Sequence, residues 1–164
     1  MGPKLVVQCG LPGVGKSTVA AEITDRLDAE RVRSDAVRQE LFSNPTYSRE
    51  EKDEVYATML DRAQSALTDG RPAVLDATYE RRTDRDDAAA LADRVDVSLD
   101  LVEVVCEESV VRDRIRRRED DPSEADVAVY ENARDRFEPL ERDAITIDNS
   151  GELARTRRQL DEYF

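Results

Sequence analysis

The sequence contains no histidine and no tryptophan, and only three phenylalanines. Without histidine, imidazole catalysis and imidazole metal ligands are excluded, so any metal must be held by oxygen atoms. The scarcity of aromatics removes the stacking platform on which proteins hold single-stranded nucleic acid. Two cysteines, Cys9 and Cys106, lie in or beside apolar strands. They read as small buried core residues, with no metal role and no disulfide partner. No apolar run approaches the length of a membrane span. The chain enters a strand almost at once and carries no secretory signal, so it is expected to be cytoplasmic. Repeats, low-complexity tracts and linkers are missing as well. The 164 residues suit one domain, 1–164, with a sizeable core.

Lysine is almost absent, at positions Lys4, Lys16 and Lys52 alone, while the net charge is −13. A surface rich in aspartate and arginine and poor in lysine reads as halophilic, because salt screens the self-repulsion of its carboxylates. Codon bias toward Arg, Asp, Ala and Val is the plainer alternative. Net acidity argues against nucleic acid as a partner, although less so in a halophile.

What is present is a phosphate-binding loop. Residues 10–18 read GLPGVGKST, directly after the apolar run Leu5, Val6 and Val7. This is the pattern G-x-x-x-x-G-K-[ST] between a strand and a helix. Gly10, Leu11, Pro12, Gly13, Val14 and Gly15 would cradle phosphates with consecutive backbone N–H groups. Lys16 adds positive charge near the β- and γ-phosphates. The Ser17 hydroxyl can ligate Mg²⁺, and Thr18 follows in the first turn. The dipole of a helix starting here points its positive end at the same anion.

Strand and helix patterns then alternate to the end. Strands are expected at about 4–9, 31–34, 73–77, 97–105 and 144–147. Helices are expected at about 16–27, 35–42, 49–67, 83–94, 107–118, 124–137 and 151–163, with a capping box at Ser48-Arg49-Glu50-Glu51. Such alternation predicts an α/β fold, a parallel sheet with helices on both faces.

Ligands in such sheets bind beyond the carboxyl ends of the strands. Asp35 follows the second strand and could take a proton from an attacking hydroxyl. Arg38, one turn on, could grip phosphate. The alternative is that Asp35 caps its helix and Arg38 pairs with it. Asp76, in VLDAT, ends an apolar strand and fits a Walker-B role, holding Mg²⁺ directly or through water, or it is a turn residue. Thr78 places a hydroxyl at the same strand end. Five arginines, Arg112, Arg114, Arg116, Arg117 and Arg118, crowd one helix before DDPSEA. Most read as a solvated face, with Arg112 and Arg116 paired to acids such as Glu108 and Asp120. One or two could close over polyphosphate as a lid.

Taken in order, GLPGVGKST, SDAVRQELF, VLDATY and RIRRREDDPSEAD resemble the P-loop kinases related to polynucleotide 5′-kinase, chloramphenicol phosphotransferase and zeta toxins. The resemblance spans about 4–148. It implies a P-loop NTPase three-layer α/β/α sandwich, a five-stranded parallel sheet of order 2-3-1-4-5 and a short helical lid at about 114–125. It makes Asp35 the general base, Arg38 the grip on the acceptor, Arg118 the lid arginine on the transferring phosphate and Arg114 a flank of the nucleotide base. Asn149, in Asp148-Asn149-Ser150-Gly151, falls where related kinases contact adenine. No N-K-x-D segment is present, so ATP is the expected donor.

The expected activity is an ATP- and Mg²⁺-dependent phosphotransferase acting on a hydroxyl, with Lys16, Asp35 and Arg118 catalytic. A small-molecule acceptor is favoured and a nucleic-acid 5′-end is the alternative. The rivals are a nucleotide switch, with 47–54 as its mobile segment, and a simple ATPase.

The charge pattern carries a test. The screening length falls from about 10 Å at 0.1 M salt to about 3 Å at 1 M. Thermal melts in a KCl series should therefore show the midpoint rising toward molar salt, and a flat or falling midpoint would favour codon bias.

Overall fold

The computed structural model describes residues 2–117 and 124–164. Five strands form one parallel sheet in the order β2-β3-β1-β4-β5. They are β1 (Lys4–Cys9), β2 (Glu30–Arg33), β3 (Ala73–Asp76), β4 (Ser98–Val105) and β5 (Ile145–Asp148). The helices among the described residues are α1 (Lys16–Leu27), α2 (Ser34–Leu41), α3 (Arg49–Thr68), α4 (Arg82–Arg94), α5 (Glu108–Arg116), α6 (Glu124–Arg136) and α7 (Leu153–Asp161). Fold class, strand order and element types agree with the expectation, and boundaries differ by two residues at most.

Strand alternation builds two cores. Leu5, Val7 and Cys9 of β1 face one side, with Leu75 of β3, Val55 and Met59 of α3, and Leu91 of α4. Val6 faces the other, with Val74, Val102, Ile147, Val19 and Ile23 of α1, and Leu160 of α7. Burial on both faces explains why β1 and β3 read as continuous apolar runs. Cys9 is fully buried, and burial, with Glu103 adding to it, pushes its thiol up to about 12. Cys106 is only half-buried, and both cysteines are free. Among the described residues no helix is long and apolar enough to cross a membrane.

Two local expectations change on inspection. Ser48 caps α3, its hydroxyl accepting from the Glu51 N–H at 3.2 Å. The reciprocal half of the box is missing. The Glu51 carboxylate instead accepts from the Thr46 N–H (2.7 Å) and hydroxyl (3.1 Å) and lies 3.0 Å from Arg38 Nε. The cap of α2 is also neither Ser34 nor Asp35. Arg33 occupies the cap position, with no side-chain cap bond.

Arg85 of α4 is 4% exposed and replaces a turn of regular structure. Its Nη1 donates to the Tyr79 carbonyl (2.7 Å), and its Nη2 to the carbonyls of Glu138 (2.8 Å) and Pro139 (3.1 Å). The guanidinium also stands 5.6 Å from the Phe137 ring centroid. The loop after β3 is thereby tied to the segment leaving α6. A planar fork can reach three carbonyls, whereas an ammonium acts as a point charge. Arg85→Met should lower unfolding free energy by about 3 kcal/mol, because the buried Tyr79 carbonyl and the part-buried carbonyls of Glu138 and Pro139 lose their donor, and Arg85→Lys should recover little of it. Urea melts of both variants check this, and a loss below about 1 kcal/mol would make the tie dispensable.

Candidate active site

The site begins where β1 ends. Gly13 and Gly15 take φ of +86° and +89°, in the left-handed region open to glycine. Neighbours also exclude a side chain. A Cβ on Gly13 would lie 2.9 Å from Val111 Cγ1, and one on Gly15 would overlap Asn149 Nδ2.

Several carbonyls of this segment are taken up by side chains from elsewhere in the chain. Val14 O accepts from Asn149 Nδ2 (2.8 Å) and from Arg114 Nη1 (3.4 Å). Lys16 O accepts from Gln8 Nε2 (2.8 Å), and Ser17 O from Arg31 Nη2 (3.1 Å). Leu11 O accepts from Lys16 Nζ at 2.9 Å. The Gly10 N–H donates to Thr78 O at 3.1 Å, which pins the start of the loop to the end of β3. With the carbonyls of Leu11, Val14, Lys16 and Ser17 engaged, the loop is shaped to offer N–H groups to an anion at the start of α1.

Arg114 and Asn149 thus meet at the loop. Asn149 is buried, and its Oδ1 accepts from Thr156 Oγ1 at 2.7 Å while its Nδ2 holds Val14. Its amide is engaged on both sides and holds the loop. Arg114 Nη2 donates to Asn149 O at 2.7 Å.

Asp76 is 6% exposed. Its Oδ1 accepts from Gln8 Nε2 (3.1 Å), and its Oδ2 from Arg31 Nη2 (2.8 Å) and Nε (3.2 Å). Gln8 and Arg31 carry no motif, and sequence reading missed both. Only their placement on strands flanking β3 could have signalled them. Among the described residues no three acidic, Cys or His side chains gather as a metal cluster. The residues that would hold a Mg²⁺ ion are Ser17, through its hydroxyl, and Asp76, whose two oxygens already accept from Gln8 and Arg31.

Asp35 stands in the first turn of α2, largely exposed. Its Oδ2 pairs with Arg33 Nη2 at 2.8 Å. The preceding residue, Ser34, lines an adjoining cavity of about 220 Å³, as do Pro12 of the loop, Arg38, Thr78 and Arg81. Arg38 does not pair with Asp35. It contacts Glu51 and stands 4.6 Å from the Tyr47 ring centroid. Tyr47 has φ of +57°, a backbone region that bulky residues rarely adopt outside functional sites. Arg112 pairs with Glu108 at 2.7 Å, as expected, and also with Glu131. The lid residues Arg118, Asp120, Asp121 and Ser123 lie outside the described residues, as does the side chain of Ala125.

A family model described as an AAA domain matches residues 5–140. The chain belongs to this AAA domain family. No curated protein matches the sequence. Among solved structures, it is similar to a gluconokinase from Sinorhizobium meliloti (TM-score 0.75, 20% identity, covering 96% of this chain and 89% of that one). It is also similar to a sugar kinase from Janibacter (TM-score 0.72, 18% identity, 98% and 91%). The Mycobacterium tuberculosis APS kinase, solved with AMPPNP and APS, aligns at a TM-score of 0.77 and 15% identity over 98% and 95%. At these identities the likeness establishes the P-loop kinase fold.

Lys16 supplies a test of the loop in solution. Burial drives its ammonium down from 10.5 to about 8, partly offset by Asp76 and Cys9. An anion in the loop favours the charged form and raises that value. Between about pH 8 and 10 triphosphate binding should therefore take up protons, and affinity should fall as pH rises through that window. Calorimetry of ATP–Mg²⁺ binding in buffers of different ionisation enthalpy reads the uptake. Lys16→Ala should abolish both binding and uptake without unfolding the protein. Unchanged affinity in that variant would remove the loop assignment.

Proposed function

We propose that this protein is an ATP- and Mg²⁺-dependent kinase that moves the γ-phosphoryl group to a hydroxyl of a small molecule. The observation that supports it most is adjacency. A partly enclosed cavity opens directly against the phosphate loop, with Pro12 of the loop in its wall and Ser34, Arg38 and Thr78 beside it. A nucleotide switch or a water-using ATPase needs no second chamber at that place.

In this reading the loop amides and Lys16 hold the triphosphate, and Arg114 flanks the nucleotide. Mg²⁺, when bound by Ser17 and through water by Asp76, draws charge from the β- and γ-phosphates. The acceptor sits between Arg38 and Thr78. Its hydroxyl oxygen attacks the γ-phosphorus while the bond to the β–γ bridging oxygen breaks, and ADP leaves. Asp35 takes the hydroxyl proton, turning from Arg33 toward the acceptor to do so. Lid residue Arg118 neutralises charge on the transferring group. A loose transition state asks mainly for positioning and electrostatic support, which loop, lysine and arginines supply.

Asp35 carries the sharpest consequence. Asparagine keeps its size but takes no proton, and loss of a general base typically lowers rate by about 10²–10⁴-fold. Asp35→Asn should cut transfer to the acceptor within that range while leaving ATP affinity within a few-fold. Turnover with labelled ATP over a panel of hydroxyl compounds, in high-salt buffer, measures it. Transfer at the wild-type rate would reduce Asp35 to a surface partner of Arg33.

A further inference from the structure

The cavity beside the loop is sorted by charge. Among the described residues its wall contains Arg38, Lys52, Arg81 and Arg136 against two acids, Glu80 and Asp84. That basic excess stands in a chain of net charge −13, and Lys52 is one of only three lysines. Depth sorts the charges further. The Glu80 and Asp84 side chains are 12% and 9% exposed, whereas Lys52 and Arg136 are 30% and 54% exposed. Glu80 therefore lies behind Lys52 and Arg136 and orients them.

The contacts leave donors over. Lys52 meets Glu80 at 3.3 Å, using one of its three N–H groups. Arg136 reaches Glu80 only at 3.4 Å. Arg81 is bound to Asp84 and Asp53 through Nε and Nη2, and Arg38 touches Glu51 through Nε, out of hydrogen-bonding alignment. Among the described residues, unused N–H groups on Lys52 and Arg136, with their shared partner Glu80 set deeper, make a site for an oxyanion. At about 220 Å³ the cavity is below the roughly 300–1,000 Å³ of drug-sized sites, so its occupant is a compound of few carbons.

We propose that the phosphate acceptor is a small hydroxyl compound that carries an oxyanion group of its own, held chiefly by Lys52 and Arg136, with Arg38 and Arg81 behind them. This rests on the phosphotransferase reading above and narrows its substrate. The oxyanion is a carboxylate, phosphate or sulfate, which share the same charge-assisted acceptor chemistry.

The test uses the full chain, labelled ATP and matched acceptors on three- to six-carbon skeletons. For each skeleton the neutral polyol is compared with its onic acid, its monophosphate and its monosulfate, and a 5′-hydroxyl oligonucleotide is included. An acidic member should exceed its polyol by at least about 100-fold in kcat/KM, and the winning arm identifies the oxyanion. A hydrogen bond to a charged group is worth tenfold or more. Lys52→Gln and Arg136→Gln should each therefore raise KM for that acceptor about tenfold or more. The same variants should leave ATP affinity and the polyol's KM where they were, and Lys52→Arg should restore the acceptor's KM. Melting temperatures close to the parent's establish that the variants fold. Equal use of polyol and acid overturns the oxyanion proposal and leaves the kinase reading standing. Transfer to the oligonucleotide alone overturns the small acceptor. If ATP binds and nothing on the panel is phosphorylated, both readings fall.

Discussion

A loop that offers its N–H groups to an anion must find other partners for its carbonyls, and most of the site follows from that constraint. A buried carbonyl without a donor is unfavourable by about 1–3 kcal/mol, so the loop cannot hold its shape alone. Each donor comes from a different part of the chain. Gln8 serves Lys16 O from β1, Arg31 serves Ser17 O from β2, and Asn149 and Arg114 serve Val14 O from beyond β5 and from α5. Strand order brings these donors together. With β3 between β1 and β2, Gln8 and Asp76 stand in register, and Arg31 reaches Asp76 across the neighbouring strand. Asp76 orients two of the donors that hold the loop, whatever it does toward a metal. The nucleotide-binding surface is thus a product of the whole sheet as much as of the nine residues in the motif.

That division explains what the sequence could and could not convey. The strand before the loop, the helix after it, the alternation that follows and the Ser48 cap depend on residues close in sequence, and periodicity and capping reveal them. Strand order came from resemblance, and register pairs the expected strands. Partners far apart in sequence were not legible. Among twenty-two arginines nothing in composition marks Arg31 or Arg85 as buried tethers and Arg112 as a surface one. Asn149 was legible as a residue of the nucleotide end, because it follows the last strand. Its engagement with Val14 and Thr156 was not, since both contacts require the folded sheet. Arg38 was placed at the acceptor side by its helix, yet its actual neighbours, Glu51 and Tyr47, come from the segment before and within α3.

Charge in this chain is distributed at two depths with different consequences. The surface carries exposed pairs such as Arg33–Asp35, Arg71–Glu30 and Arg142–Asp86, each with high dielectric around it and each worth about 1 kcal/mol at most. Below them sit Arg31–Asp76 and Arg38–Glu51, where removal of one partner would strand the other. Glu51 shows how such a group is kept ionised. Burial alone would raise its carboxyl, but the N–H groups of Thr46 and Tyr47, the Thr46 hydroxyl and Arg38 outweigh burial and hold it below the ordinary range. The result is a rigid anion that fixes Arg38 at the cavity wall.

Lys16 is the complementary case. Among the described residues no carboxylate bonds to its ammonium; its partner is the loop's own Leu11 carbonyl, and burial makes the charge less favourable than in water. A lysine permanently paired to Asp76 would have to break that pair before it could meet a phosphate. Here Arg31 and Gln8 take the two oxygens of Asp76, which leaves the aspartate near enough to favour the lysine's charge and not bonded to it. The interaction that an incoming triphosphate makes with Lys16 is therefore gained without first being lost elsewhere, a form of preorganisation toward anions. It follows that Arg31 bears on the loop twice over, through the Ser17 carbonyl and by occupying the carboxylate that would otherwise compete for the lysine.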